Sequence, residues 1–236
     1  PDVYEGSPTP VTAFLSVASK AAGFAVILRV FYTAFPLEVL SIEWSAIFAV
    51  LAALSMSIGN LVAIAQSNIK RMLAYSTVAH AGYMLVGLAA VAARASDDHG
   101  PIGASGVLFY LGGYAVMNLA AFSAVIAISN RIESDRIADF AGMGRRAPYL
   151  AAVLAFAMIS LTGVPPTVGF MVKIYIFGAA VSSGLAWLVV VGVVNSVVSA
   201  YYYLRVVKVM YLTPAAEETP ITSGLPLRVA MVATSA

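Results

Sequence analysis

Three side chains that can carry protons lie inside long apolar stretches of the sequence: Lys20, His80 and Lys173. A lysine at the centre of a bilayer costs at least about 2.5–3.5 kcal/mol, so such residues commonly mark an ion or proton path. Because desolvation disfavours the charged form of an amine, a buried lysine can both take up and release a proton. The three residues are therefore candidates for proton transfer.

Their positions along the apolar stretches predict a shared depth. Lys20 follows Pro10 by ten residues and His80 follows Lys70 by ten. At about 1.5 Å per helical residue, each then lies about 15 Å deep, and Lys173 is similarly far from the opposite face. We expect all three near the membrane midplane. Two alternatives to proton transfer exist for the lysines: snorkelling to an interface and structural pairing with carbonyls. The alternative for His80 is a hydrogen-bonded packing role.

The stretch that precedes Lys173 predicts a discontinuous helix. Pro165 and Pro166 remove two backbone donors, and Gly163 and Gly169 flank them. Irregular backbone at this depth is tolerated where protein buries it or where it lines a wet cavity, and in transporters such breaks mark the ion path. A simple kink inside the bundle is the alternative.

Other polar side chains could hold water between the titratable groups. Asn118 and Tyr83 are the candidates for this role, and Asn60 and Asn195 could share it. Equally, the asparagines could form hydrogen bonds between helices, worth well under about 2 kcal/mol each.

The composition predicts an all-α, polytopic transmembrane helix bundle. Of 236 residues, 61% are hydrophobic and 10% charged, and the mean hydropathy is +0.92. The apolar residues form blocks of about 20, the length that crosses a bilayer. We predict one domain fragment over residues 1–236 with six complete spans and a truncated seventh, and all 11 acids in loops. The expected spans are approximately 9–35, 44–66, 72–93, 102–129, an interrupted 149–181, 185–211, and 227 onwards.

Charge distribution predicts the orientation. With alternating spans, nine of the 13 basic residues lie on the side of Pro1, and Arg29 and Arg94 lie on the other. Cytoplasmic loops carry the excess of Lys and Arg. The Pro1 side and the 130–148 loop are therefore expected to be cytoplasmic.

Several kinds of chemistry are excluded within this chain. It has no cysteine and only two histidines, so it offers no Cys-ligated Fe–S cluster, thiol nucleophile or Cys-type zinc site. It also lacks a GxxxxGK[ST] phosphate loop. We therefore expect no cofactor or metal site in this chain, and no nucleic-acid partner.

Several long motifs resemble those of the antiporter-like membrane subunits of respiratory complex I. They are PDVYEGSPTPV at 1–11 with Ser19 and Lys20, NIKRMLAYS at 68–76 with AHAGY at 79–83, and GVPPTVGF at 163–170 with Lys173. The resemblance covers essentially the whole chain. It is closest to the N-type subunits, because Lys20 stands where other members usually carry a histidine and MNLAAF at 117–122 is also N-like.

The resemblance implies a partial antiporter-like fold, from the end of the seventh helix into the fourteenth of a longer subunit. It also implies a proton-translocating subunit of an NADH–quinone oxidoreductase, in which Lys20, His80 and Lys173 transfer protons. Flavin, Fe–S clusters and quinone are then expected in partner subunits. The alternatives are a cation/proton antiporter or membrane-hydrogenase subunit of the same superfamily, or a purely structural membrane subunit.

The surroundings implied by the resemblance are those of an integral protein of the bacterial plasma membrane. Its partners would be other membrane subunits of complex I, the lipid bilayer, protons and water.

Overall fold

A computed structural model describes residues 2–33, 41–93 and 101–214, and these ranges are predominantly α-helical with no β-strand. This confirms the predicted all-α fold. The helices are α1 (Asp2–Gly6), α2 (Thr9–Thr33), α3 (Ser41–Ile64), α4 (Ile69–Ala93), α5 (Pro101–Ile132), α6 (Met143–Arg146), α7 (Pro148–Thr162), α8 (Val168–Ser182) and α9 (Ala186–Leu212), with a 3₁₀ helix at Ile137–Phe140.

Within the described ranges, five helices are long and apolar enough to cross a membrane: α2, α3, α4, α5 and α9. Helices α7 and α8 have 15 residues each, which is shorter than a span. They follow one another across residues 163–167 and together form the predicted discontinuous span.

Two helix starts differ by about three residues from the predicted ones, and one short helix was not predicted. Helix α3 begins at Ser41, so Glu43 lies in its first turn and not in the predicted loop. The positive end of the helix dipole favours an acidic residue at that position. Helix α4 begins at Ile69, which places Lys70 and Arg71 in its first turn. Helix α1 was not predicted.

Distant acids compensate for the two cations at the start of α4. Lys70 forms an ion pair with Asp135 at 3.0 Å, and Arg71 contacts Asp2 and Glu5 of α1, each at 3.3 Å. These partners are remote in sequence or lie in an unpredicted helix, so the sequence alone did not show that the two charges would be paired. The helix start itself has a local signal, because Asn68 Oδ1 accepts from the Arg71 backbone N–H at 3.1 Å.

The predicted 130–148 loop is largely ordered into short helices. Helix α5 continues to Ile132, and the 3₁₀ helix and α6 follow. Two backbone hydrogen bonds fix this segment to the α3–α4 turn, from Ile69 to Asp135 and from Ile137 to Ser67, both 2.8 Å. The predicted loops at 36–43 and 94–101 lie largely outside the described residues, and the truncated seventh span lies wholly outside them.

Helices α4 and α5 form the centre of the bundle. Helix α4 packs against α3, α5 and α8, and α5 also packs against α2 and α7. The most apolar window of α4 is 72% buried, against 28% for α2. Side chains that face inward from α2, α4, α5, α8 and α9 therefore converge on one interior region.

Candidate functional site

His80 lies in this interior, 3% exposed, on α4. Its Nδ1 is 2.7 Å from the Tyr110 hydroxyl on α5, and its Nε2 is 3.2 Å from the Tyr203 hydroxyl on α9. The Tyr203 hydroxyl also hydrogen-bonds Ser76. A hydroxyl can donate or accept, so these partners can accommodate either neutral tautomer of the imidazole.

Lys20 reaches the same region from α2. Its Nζ donates to the Thr77 carbonyl at 2.5 Å and to the Tyr114 hydroxyl at 3.3 Å. The amine also lies 4.6 Å from the centroid of the Tyr114 ring, within cation–π range. The Tyr114 ring also contacts His80, with the two ring centroids 5.1 Å apart.

Lys173 approaches from the opposite side, on α8, and is 4% exposed. Its Nζ donates to the Thr162 carbonyl at 2.7 Å and lies 4.8 Å from the centroid of the Tyr83 ring. The Tyr83 ring is 5.8 Å from the His80 ring.

The two lysines are thus arranged alike about the histidine. Each amine lies over a tyrosine ring, and the same ring contacts His80, giving the order Lys20, Tyr114, His80, Tyr83, Lys173. The sequence placed three isolated titratable groups at one depth. In the fold they share one network, which we call the His80 cluster, in which His80 and Lys173 are buried and Lys20 is half-buried.

The helix break supplies the acceptors for Lys173. The last carbonyls of a helix have no intrahelical donor, and α7 ends at Thr162. Gly163 follows with φ of +88°, a conformation that favours glycine, and Pro165 and Pro166 occupy the gap with a cis peptide bond between them. A Cβ at Gly163 would lie 3.1 Å from Lys173 Nζ, so the turn and the amine fit closely.

Gly169 has a different position from the one expected. It is the second residue of α8, beyond the irregular segment. A Cβ there would lie 1.7 Å from the Ser160 carbonyl oxygen, so glycine is what allows α7 and α8 to cross this closely. Gly169 therefore allows the close contact between α7 and α8.

The proposed water-holding residues divide into two kinds. Tyr83 is satisfied by protein, with its hydroxyl 3.1 Å from Ser196 Oγ. Asn118 donates to Ser16 Oγ at 2.5 Å, but its buried Oδ1 has no protein partner. Buried polar atoms are normally paired with protein or water, so Asn118 retains an acceptor for water.

Asn60 and Asn195 lie in an adjacent group. Asn60 Nδ2 donates to Asn195 Oδ1 at 3.1 Å, joining α3 to α9, and the Tyr202 hydroxyl donates to Asn60 Oδ1 at 2.9 Å. Asn195 Nδ2 donates to Ser57 Oγ at 3.2 Å. These four residues, the amide cluster, favour the alternative in which asparagines connect helices.

Sequence reasoning missed Tyr110, Tyr114 and Tyr203. Tyr110 and Tyr114 are four residues apart on one helix, and that spacing puts both on the same face. This spacing was the one local pattern from which the two tyrosines could have been predicted to lie together. Nothing comparable marks Tyr203, whose role depends on where α9 packs.

Metal binding has no support in the described ranges 2–33, 41–93 and 101–214. No three His, Cys, Asp or Glu side chains lie there close enough together to hold an ion.

Comparison with known proteins gives consistent matches. The family model for "NADH:quinone oxidoreductase/Mrp antiporter, TM" matches residues 1–199. NADH-quinone oxidoreductase subunit N of Dehalococcoides mccartyi is 51% identical over 233 residues, which is 98% of this chain and 47% of that protein. The chain spans about half the length of the curated relatives that it matches.

Solved structures show the same likeness. A chain of respiratory complex I from Thermus thermophilus is 38% identical with a TM-score of 0.77, covering 99% of this chain and 49% of that one. A chain of the archaeal membrane-bound sulfane sulfur reductase is 26% identical with a TM-score of 0.82, covering 99% of this chain and 47% of that one.

Proposed function

The chain belongs to the NADH:quinone oxidoreductase/Mrp antiporter transmembrane family, and we propose that it moves protons as part of an NADH–quinone oxidoreductase. The observation that carries this proposal is the His80 cluster, where two lysines and a histidine are joined through tyrosines in the bundle interior. The chain itself would carry no electrons. Redox chemistry would belong to partner subunits, which would bind the flavin, Fe–S clusters and quinone.

In this proposal Lys20 and Lys173 alternately hold the transferred proton and His80 is the intermediate. The Tyr114 hydroxyl accepts from Lys20 and is 2.9 Å from Thr77 Oγ1, so hydroxyl groups continue the hydrogen bonds beyond the amine. Tyr110 and Tyr203 would let the imidazole change tautomer without losing a partner. Trapped water that donates a hydrogen bond to Asn118 Oδ1 would carry the proton across the gaps between hydroxyl groups.

Lys173 would pass the proton towards an exit or a neighbouring subunit. Moving one charge against 100 mV requires about 2.3 kcal/mol, which must come from conformational or electrostatic change driven by the redox subunits. The carbonyls at the end of α7 offer a means of coupling, because a small shift of the broken span would change the acceptors of the amine.

The proposal is tested by replacing Lys20 and Lys173 with Met, singly and together, in the full-length assembled enzyme. We expect proton pumping in reconstituted vesicles to be largely lost, because Met keeps the apolar stem and removes the proton carrier. Lys208→Met, at an exposed position near the end of α9, is the matched control and should pump normally.

A purely structural subunit would keep coupled pumping in the double variant, and that result would contradict the proposal. Co-purification separates the two active alternatives. A flavin- and Fe–S-containing assembly indicates an NADH–quinone oxidoreductase, whereas its absence from a pumping preparation indicates a cation/proton antiporter.

We also propose that the Pro1 end is cytoplasmic, on the excess of basic residues there. Cysteines at the exposed positions Ala138 and Ala186, which lie at opposite ends of the bundle, should react with an impermeant reagent from opposite faces. Cytoplasmic labelling is expected for Ala138→Cys. The reverse pattern would invert the orientation.

A further inference from the structure

The first half of α2 buries hydroxyl groups, although the helix as a whole is lightly buried. Thr12 and Ser16 are 0% exposed and Thr9 is 9% exposed, whereas the most apolar window of α2 is only 28% buried. These three residues and Lys20 follow one another at intervals of three, four and four, which places them on one helix face. From residue 9 to residue 20 this hydroxyl face extends about 16 Å, from the Pro1 end of the bundle to the lysine.

The hydroxyl face packs against α5 and meets polar groups there. Asn118 Nδ2 donates to Ser16 Oγ at 2.5 Å, and one turn further along both helices Lys20 Nζ donates to the Tyr114 hydroxyl at 3.3 Å. Among the described residues, the buried Oδ1 of Asn118 has no hydrogen-bond partner. The contact between α2 and α5 therefore retains an acceptor for water beside Ser16.

A pocket of about 330 Å³ lies at the Pro1 end of this face, between the start of α2 and the end of α5. Thr9 and Ser129 are two of its lining residues. Ser129 is 7% exposed, and its Oγ has no hydrogen-bond partner in the part of the chain that the structure describes. Buried polar atoms are normally paired with protein or water, and this volume has room for several water molecules. Water in the pocket can therefore reach Ser129 and the first hydroxyl of α2.

The charges around the pocket suit the uptake of protons. Glu133 lines it and is exposed, so a carboxylate that exchanges protons with water lies at the mouth. Lys70 also lines it, but its charge is compensated by Asp135 at 3.0 Å and does not exclude a proton. Beyond the pocket wall, the Ser7 hydroxyl lies 2.7 Å from the Thr12 hydroxyl.

We propose that protons reach Lys20 from this pocket through the hydroxyl groups of Thr12 and Ser16, with water between them. This inference rests on the proposed function and adds the residues that load the first carrier. A hydroxyl group can accept and donate hydrogen bonds at the same time. It passes a proton on by accepting one from the water on one side and releasing its own to the water on the other. Each step leaves the hydroxyl with one proton, and the neutral Lys20 amine is the final acceptor.

The competing explanation is that small polar residues let α2 and α5 pack closely, as they do at many membrane helix contacts. Two substitutions at Thr12 separate the explanations. Thr12→Val keeps the shape of the side chain and removes the hydroxyl, whereas Thr12→Ser keeps the hydroxyl and removes the methyl group. In the full-length assembled enzyme we expect Thr12→Val to lower the rate of proton pumping about tenfold, less than the loss of a positioned acid–base group usually costs, because water partly replaces the hydroxyl. Thr12→Ser should pump at the parent rate.

Ser129→Ala tests the pocket. A buried hydroxyl without a partner costs stability, so its removal from a purely structural site would leave folding and pumping unchanged or improved. We expect slower pumping with no loss in the free energy of unfolding. The matched control is Ser45→Ala, which removes another buried hydroxyl, one that donates to the Ala89 carbonyl at 3.0 Å. It should pump normally.

Three results would overturn the proposal: normal pumping by Thr12→Val, an equal loss in Thr12→Ser, or normal pumping by Ser129→Ala. Lys20→Met, measured in parallel, separates this failure from that of the proposed function. If Lys20→Met stops pumping and Thr12→Val does not, the hydroxyl route alone is wrong. If both variants pump normally, the proposed function fails and the route fails with it.

Discussion

Two polar clusters lie side by side in the bundle interior, and they differ in chemistry more than in burial. Tyr202 and Tyr203 are consecutive on α9, with ring centroids 4.4 Å apart. The Tyr202 hydroxyl donates to Asn60 in the amide cluster, whereas the Tyr203 hydroxyl is 3.2 Å from His80. Both tyrosines are almost wholly buried.

A buried hydrogen bond therefore does not by itself indicate function. The amide cluster joins α3 to α9 with groups that neither gain nor lose a proton at ordinary pH. The His80 cluster joins helices just as closely, but with amines and an imidazole, the groups that we propose as proton carriers. Proton transfer should therefore depend on the second cluster, and the first should affect stability alone.

The largest expected effect is that of Lys173→Arg. Arginine keeps the charge but does not deprotonate near neutral pH, so a carrier is lost while a structural cation is retained. We expect the full-length assembled enzyme to lose most proton pumping and much of the coupled quinone reduction, measured in reconstituted vesicles.

Lys70→Arg is the control for this substitution. Lys70 is also buried, but it forms an ion pair with Asp135, for which a fixed charge suffices. It should pump normally. Full pumping by an assembled Lys173→Arg enzyme would mean that the amine only balances the carbonyls at the end of α7.

The sequence predicted the fold where the signal was local. Apolar blocks located the spans, and Pro165 with Pro166 located the broken one. Helix α1 was missed because Gly6 and Pro8 suggested irregular backbone before α2. In the fold, α1 forms ion pairs with Arg71 of α4, which is more than 60 residues away in sequence. Such pairing has no local sequence pattern.

The candidate site was predictable to a similar extent. Residue type and depth identified Lys20, His80 and Lys173, since an intramembrane charge is costly wherever its helix packs. The hydroxyls around His80 depend on packing instead, because Tyr110 and Tyr203 are 30 and 123 positions away. A tyrosine in an apolar helix is equally compatible with packing alone.

An intermediate effect is expected for Tyr203→Phe. The variant keeps the ring but removes the hydroxyl from His80 Nε2 and from Ser76. If the hydroxyl helps the imidazole exchange protons, pumping should fall about tenfold or less, because Tyr110 remains on Nδ1. The rate is measured against Tyr202→Phe, which removes the neighbouring hydroxyl from the amide cluster.

Tyr202→Phe should leave the pumping rate of assembled enzyme unchanged. Equal losses of pumping in the two tyrosine variants would show that the two clusters do not differ in their effect on proton transfer. A larger loss in Tyr202→Phe would reverse it.

The smallest effect on pumping is expected for Asn60→Ala. This variant removes the amide that joins α3 to α9 and leaves the Tyr202 hydroxyl and Asn195 Oδ1 without that partner. Interhelical hydrogen bonds in membranes average about 0.6 kcal/mol and reach about 1.7 kcal/mol each. Because Asn60 bonds both Asn195 and Tyr202, the free energy of unfolding should decrease by about 1–3 kcal/mol, with some addition for the cavity. Pumping per assembled enzyme should stay at the parent rate, because no proton carrier is changed. A loss of pumping comparable with that of Lys173→Arg, at unchanged unfolding free energy, would show that the amide cluster also lies on the proton path.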